Sequence, residues 1–205
     1  MRQNSIHSIS KSIFAVALLL LMVSNSANAL QESDIASQMK TNIDKTTDLL
    51  QNKMIQQEEK NLKIFELFDP IFDYSSMSKI ALGKNWKKLS SQQKIDFKSV
   101  FTQKLKQSYI DKLQLYTDEK VIINKTEKLK RTRIKLHTVL IGKDQDYKIV
   151  YKFHRTKKNE EWLIYDVEMI GVSIMKTYRK QFSEFLSSNT FDALIVELNK
   201  NKTTN

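Results

Sequence analysis

The sequence predicts an α+β fold in a single domain, with a helical N-terminal half, an antiparallel four-stranded sheet and a helical C-terminal segment. Three observations carry that expectation. Apolar residues recur every three or four positions from Ile35 to Tyr116, every second position after Thr117, and every three or four again beyond Val172. Only 3 glycines and 1 proline occur in 205 residues, too few for a turn-rich all-β design and well suited to long helices. Gly, Lys and Asn cluster between the period-2 runs, where hairpin turns need them.

The first 29 residues read as a cleavable signal peptide. Arg2 and Lys11 supply positive charge with no acidic residue, Ile13 to Val23 form an apolar stretch, and Ala27-Asn28-Ala29 presents small residues for cleavage. That stretch is too short to cross a hydrocarbon core of roughly 30 Å; a retained anchor is the alternative. With no cysteine in the chain, N-terminal lipidation, disulfides and thiol chemistry are all excluded, so an exported protein must hold its fold by packing. Residues 30–199 form the expected domain and 200–205 a polar tail. Of the 34 Lys and Arg, two leave with the leader; against 23 acidic residues the mature chain stays near +9. In an exported protein that basicity favours anionic headgroups or acidic protein partners over nucleic acid.

The elements follow in order. Ile35, Met39, Ile43, Leu50 and Met54 stack on one helical face, and Leu62, Phe65 and Phe68 mark a second helix that breaks before Pro70. Phe72 to Leu82 is a short amphipathic segment ended by Gly83, a natural C-cap. Ser90 and Gln93 have capping-box spacing ahead of the longest helix, whose stripe is Phe97, Phe101, Leu105, Tyr109, Leu113 and Tyr116. Four strands are expected at Glu119–Thr126, Leu129–Ile141, Gln145–Thr156 and Glu161–Ile170. Ile134, Leu136, Leu140, Tyr147, Ile149, Tyr151 and Phe153 share an apolar face, opposite Arg131, Arg133, Lys135, His137, Lys148, Lys152 and His154. Val172 to Ser187 and Phe191 to Leu198 close the chain as helices.

No Walker loop, G-x-S-x-G or H-E-x-x-H occurs, and no metal or cofactor is expected. His137 and His154 lie among cations without carboxylates at ligand spacing. Asp166 is the carboxylate to weigh as a buried base in a cavity, against a hydrogen-bonded strand residue. Five apolar helical faces and one apolar sheet face compete for burial in a modest domain, so a gap between sheet and helices suits an apolar ligand.

Two stretches go further. Phe72-Asp73-Tyr74-x-x-Met77-x-x-x-Ala81-Leu82-Gly83-x-x-Trp86 and Trp162-x-Ile164-Tyr165-Asp166-Val167-x-x-x-Gly171-Val172-Ser173, continued by Tyr178-Arg179-x-Gln181-Phe182, resemble the hallmark segments of the MlaC family. Gln93-x-x-x-Phe97-x-x-x-Phe101 and Tyr109 fit the same pattern in the same order. The resemblance implies a nuclear-transport-factor-2-like fold, a curved sheet wrapped by helices. It also implies a job: a periplasmic, non-enzymatic phospholipid carrier, a monomer shuttling between an outer-membrane MlaA-like lipoprotein assembly and an inner-membrane MlaFEDB-like ABC transporter. An enzyme using the same cavity, or an adaptor that binds no lipid, is the rival reading.

Leaving two acyl chains of about fifteen methylenes each in water costs on the order of 20 kcal/mol, so a carrier must enclose both tails and leave the headgroup wet. The residues expected to line the cavity are Tyr74, Met77, Phe97, Phe101, Leu105, Tyr109, Ile134, Leu136, Tyr147, Ile149, Tyr151, Phe153, Ile164, Val172, Met175 and Tyr178. Arg131, Arg133, Lys135, Lys148 and Lys152 are the candidates for docking on acidic partner surfaces.

Overall fold

The computed structural model describes residues 29–113 and 119–200. Residues 1–28 of the expected signal peptide, the stripe residue Tyr116 and most of the expected tail lie outside them. Helices α1 (Ile35–Gln51), α2 (Gln57–Phe68), α3 (Tyr74–Leu82) and α4 (Ser91–Leu113) come first, then strands β1 (Lys120–Lys130), β2 (Arg133–Ile141), β3 (Asp146–Arg155), β4 (Trp162–Met169) and β5 (Val172–Ser173), and finally α5 (Ile174–Ser188) and α6 (Phe191–Lys200).

Helix boundaries follow local chemistry. The Ser90 N–H donates to Gln93 Oε1 at 3.0 Å and the Gln93 N–H to Ser90 Oγ at 3.1 Å, the reciprocal cap expected for α4. Gly83 ends α3 at φ 54°, a left-handed conformation that a Cβ would oppose, and an added Cβ would also meet Arg179 Nε at 2.6 Å. Pro70 sits in a 3-10 turn, Asp69–Ile71, just after α2. Asn42, 1 % exposed, joins α1 to α2 by donating from Nδ2 to the Leu67 carbonyl at 2.7 Å. Met54 departs from the expected α1 stripe, lying beyond the helix and 90 % exposed.

The sheet is an antiparallel meander in the order β1-β2-β3-β4-β5. Two expectations are corrected. The β1–β2 turn falls at Arg131–Thr132 rather than after Thr126, so Leu129 belongs to β1 and Arg131 to the turn. Irregular register between Ile123 and Lys125, around Asn124, and between Lys128 and Lys130 disrupts the alternation there, and no Gly, Asn or Pro marks the turn at Arg131–Thr132. A fifth strand also precedes α5, because Val172 and Ser173 pair with Met169 and Glu168 before the helix begins. The Ser173 hydroxyl caps α5, accepting from the Lys176 N–H at 3.1 Å.

Two apolar cores result. In the sheet core, Ile35, Met39 and Ile43 of α1 and Ile64 and Phe68 of α2 pack with Ile134, Leu136, Phe153, Trp162 and Ile164. In the helical core, Met77, Ala81 and Leu82 of α3 pack with Phe97, Phe101, Met175, Phe182, Leu194 and Leu198. The α4 stripe is shared: its 23 residues extend roughly 34 Å, placing Phe97 and Phe101 in the helical core and Tyr109 and Leu113 against the sheet core. Phe72 packs against both cores and bridges to Ile164, where the Asp73 N–H donates to the Ile164 carbonyl at 2.8 Å.

Candidate functional site

The apolar face of the sheet is covered at one end and loses its cover toward the other. Along β2, Ile134, Leu136 and Thr138 are buried but Leu140 only partly so; along β3, Phe153 is buried while Tyr151, Ile149 and Tyr147 are partly buried; along β4, Ile164 is buried while Val167 and Met169 are not fully covered. Register aligns these gradients. Ile134 pairs with Phe153 at the closed end, and Leu140 with Tyr147 and Ile149 with Met169 at the open end. On β1, Val121 and Ile123 lie opposite Leu140 and Thr138. Leu49 and Leu50 at the end of α1, Leu67 of α2, and Tyr109 and Leu113 of α4 are partly buried against the sheet core and frame this open end.

The expected lining residues therefore separate. Tyr109, Ile134, Leu136, Tyr151, Phe153 and Ile164 share the sheet core, and Tyr147 and Ile149 continue the same face beyond it. Tyr74, Met77, Phe97, Phe101, Leu105, Met175 and Tyr178 belong to the helical core. There Phe97 stacks on Phe101 at 5.3 Å and Phe101 meets Tyr178 edge-on at 5.0 Å. Val172 lies in neither cluster and is 59 % exposed. Phe68 and Phe72 join the regions, their rings 6.3 Å apart, with Phe68 6.0 Å from Tyr109 and Phe72 stacked 5.7 Å from Tyr74.

Sequence reasoning passed over Leu49, Leu50, Leu113, Val121, Ile123, Val167 and Met169 as lining residues. Val121 and Ile123 alternate in β1 and could have been found by extending the face argument across that strand. The helix-end leucines carry no such signal, since only the tertiary fold brings them to the sheet.

The framed end is chemically neutral. Burial pushes the Tyr151 phenol up to about 12 and raises Tyr109 as well, with Tyr151 adding to the effect, so both keep their protons. Two phenols with intact hydroxyls among aliphatic side chains suit acyl chains.

Charge sits on the opposite face. Lys152, held within 3.0 Å of Asp166 and 2.7 Å of Glu168, is largely enclosed, and these bonds outweigh the cost of burial and raise its pKa. Arg133 lies over the Tyr165 ring at 5.1 Å and donates to the Thr132 carbonyl at 2.9 Å. Both are engaged within the fold, whereas Arg131 and Lys148 are exposed and Lys135 is partly so. Asp166 is no loose base. Buried at 5 % exposure, it accepts from Lys152, from Ser173 Oγ at 2.7 Å and from the Met175 N–H at 3.2 Å, tying β4 to the start of α5.

Both described histidines have a carboxylate partner, which their sequence spacing did not show. His137 Nε2 lies 2.7 Å from Glu127 and His154 Nε2 lies 2.8 Å from Asp73. Burial alone would raise Asp73, but hydrogen bonds from His154 and Ser76 outweigh it and hold the carboxyl well below its usual range. Among the described residues no group of His, Cys, Asp and Glu is arranged to hold a metal. Leu49 and Leu67 also border a groove of about 390 Å³ between α1 and α2 whose other walls, Lys45, Asp48, Asn52, Lys63 and Glu66, are polar or charged and better matched to water than to hydrocarbon.

The fold has a counterpart of known structure. A phospholipid-binding protein from Ralstonia solanacearum, solved in complex with a phospholipid, superposes with a TM-score of 0.69 at 16 % identity, covering 84 % of this chain and 96 % of that one. The intermembrane phospholipid transport system binding protein MlaC of Haemophilus influenzae is 24 % identical over 120 residues; the match spans 57 % of this chain and 56 %, little more than half, of that relative. The profile of the MlaC protein family matches residues 40–200, well over half of the sequence. The chain belongs to the MlaC family.

Proposed function

We propose that this protein is a periplasmic phospholipid carrier of an Mla-type intermembrane transport system, free of cofactor and without enzymatic activity. Its cargo is one phospholipid at a time, taken up and delivered by a monomer that moves between an MlaA-like outer-membrane assembly and an MlaFEDB-like ABC transporter. The observation that carries the reading is the apolar sheet face that loses its cover between Leu140, Tyr147, Ile149 and Met169. Acyl chains entering there lie along Val121, Ile123, Tyr109 and Tyr151 and part the sheet from α1 and α4. Moving tails from a bilayer into an equally apolar interior is close to neutral, which keeps loading reversible, while the roughly 0.8 kcal/mol for each methylene left in water prevents release into solvent. The headgroup stays at the rim, since burying its charge unpaired is costly.

The reading is supported by the family membership and by the phospholipid held by the Ralstonia protein of similar fold. Protein purified without detergent should release phospholipid on organic extraction and show a matching mass increment in native mass spectrometry. Well-folded protein that carries no phospholipid, and takes up none from vesicles, would leave an adaptor role instead.

A further inference from the structure

The turn between β4 and β5 combines strain with exposure. Ile170 and Gly171 both have positive φ, 51° and 76°. Glycine adopts that region freely, but a β-branched side chain there is crowded against its own backbone, and Asn, Asp or Gly usually fills such a turn. Packing does not repay the strain: Ile170 is 65 % exposed, and Val172 beyond it is 59 % exposed. One short turn thus holds two large apolar side chains in water.

Cations pair with it and follow it in the chain. The Ile170 N–H donates to the Lys148 carbonyl at 2.9 Å, and the Lys148 side chain is exposed. Lys176 and Lys180 are exposed on the first turns of α5, while the Arg179 guanidinium between them lies against Gly83 at the end of α3. Residues 169–183 contain no carboxylate. Flanking this segment, Glu168 is ion-paired with Lys152 at 2.7 Å and Glu184 approaches Lys180 at 3.9 Å; further carboxylates, Asp144 and Asp146, belong to the β2–β3 hairpin.

We propose that this turn and the cationic start of α5 form a membrane-contact surface, in which Ile170 and Val172 enter the interfacial layer of an anionic bilayer while Lys148, Lys176 and Lys180 face its headgroups. An acidic protein surface would use the cations but has no need of a strained isoleucine at the tip. A bilayer interface rewards both, because headgroups attract the cations and the acyl boundary receives the apolar pair. Met169, next to the turn, pairs with Ile149 at the open end of the sheet, so contact through this tip sets that end against the bilayer. Membrane contact is separable from cargo binding and can be measured whether or not lipid is held.

The test is co-sedimentation of the whole protein with vesicles of phosphatidylcholine alone and of phosphatidylcholine mixed equally with phosphatidylglycerol, at low and at physiological salt. Wild-type protein should bind the anionic vesicles more tightly, and salt should weaken the preference. Ile170→Asn places a side chain that tolerates positive φ, so it should raise the midpoint of thermal unfolding by a few degrees yet weaken vesicle binding by roughly tenfold. Lys176→Glu with Lys180→Glu should abolish the preference for phosphatidylglycerol while circular dichroism stays unchanged. Failure of the wild type to bind anionic vesicles overturns the proposal. So does binding that depends on the cations but not on Ile170, which would leave headgroup attraction without insertion of the turn.

Discussion

The helical core is rich in phenylalanine and the sheet core in isoleucine, and the two differ in how they end. In the first, Phe97, Phe101, Tyr178 and Phe182 meet ring on ring, with Phe101 5.5 Å from Phe182 and Phe97 5.7 Å from it, and α3, α4, α5 and α6 surround the cluster. In the second, helices cover Ile134, Phe153 and Ile164 completely but leave Leu140, Tyr147, Ile149 and Met169 only partly covered. The difference teaches that an aromatic stripe does not identify a binding site. What identifies one is the place where an apolar face outruns its cover, because a ligand can replace the missing helix there without first displacing a packed side chain.

Substitutions should separate the two regions. The largest loss of stability is expected from Phe101→Ala, which leaves a cavity in the helical core and should cost about 3–5 kcal/mol in urea unfolding. Phospholipid retained per folded molecule should not change. Ile149→Asp at the open end should do the reverse: a carboxylate set against acyl chains should lower extracted phospholipid at least tenfold, about 1.4 kcal/mol, while unfolding shifts by less than for Phe101→Ala.

Next is the junction between the cores, where Asp73 caps α3 by accepting from the Ser76 N–H at 2.8 Å and pairs with His154. Its carboxyl is held below its unfolded value, so the stabilisation is complete above the ordinary carboxylate range and is lost as pH falls through that range toward the lowered value. An acid titration of stability should therefore steepen below about pH 4 in the wild type and flatten in Asp73→Asn, which retains a capping oxygen but gives up the charge. The smallest effect should come from Glu32→Gln, which removes an exposed pair with Lys128 at 2.6 Å and should cost under about 1 kcal/mol.

Local features were the legible ones. Ser90 with Gln93, Gly83 after Leu82, and the turns around Gly142 and Asn159 act within a few residues, so their spacing is enough to place them. The alternation of Ile134 and Leu136 against Arg133 and Lys135 likewise fixed which face of β2 is buried. Pairings across the chain were not legible. Asp73 and His154 are 81 residues apart, and nothing near His154 in sequence announces a carboxylate. The division of the α4 stripe was equally hidden: Phe101 and Tyr109 are two turns apart on one face, and only the position of α5 and of the sheet assigns them to different cores. The β1–β2 turn was misplaced because register irregularities in a lysine-rich strand removed the alternation that marks its end.

The central claim is that acyl chains occupy the open end of the sheet core and not the helical core. A phospholipid with a photoactivatable group near the end of one acyl chain, loaded into detergent-free protein and crosslinked, tests it most directly. Peptide mapping should place the adducts on Val121 to Ile123, Leu140, Tyr147 to Tyr151 and Tyr109. Adducts concentrated on Phe97, Phe182 or Leu194 would contradict the account and move the site into the helical core.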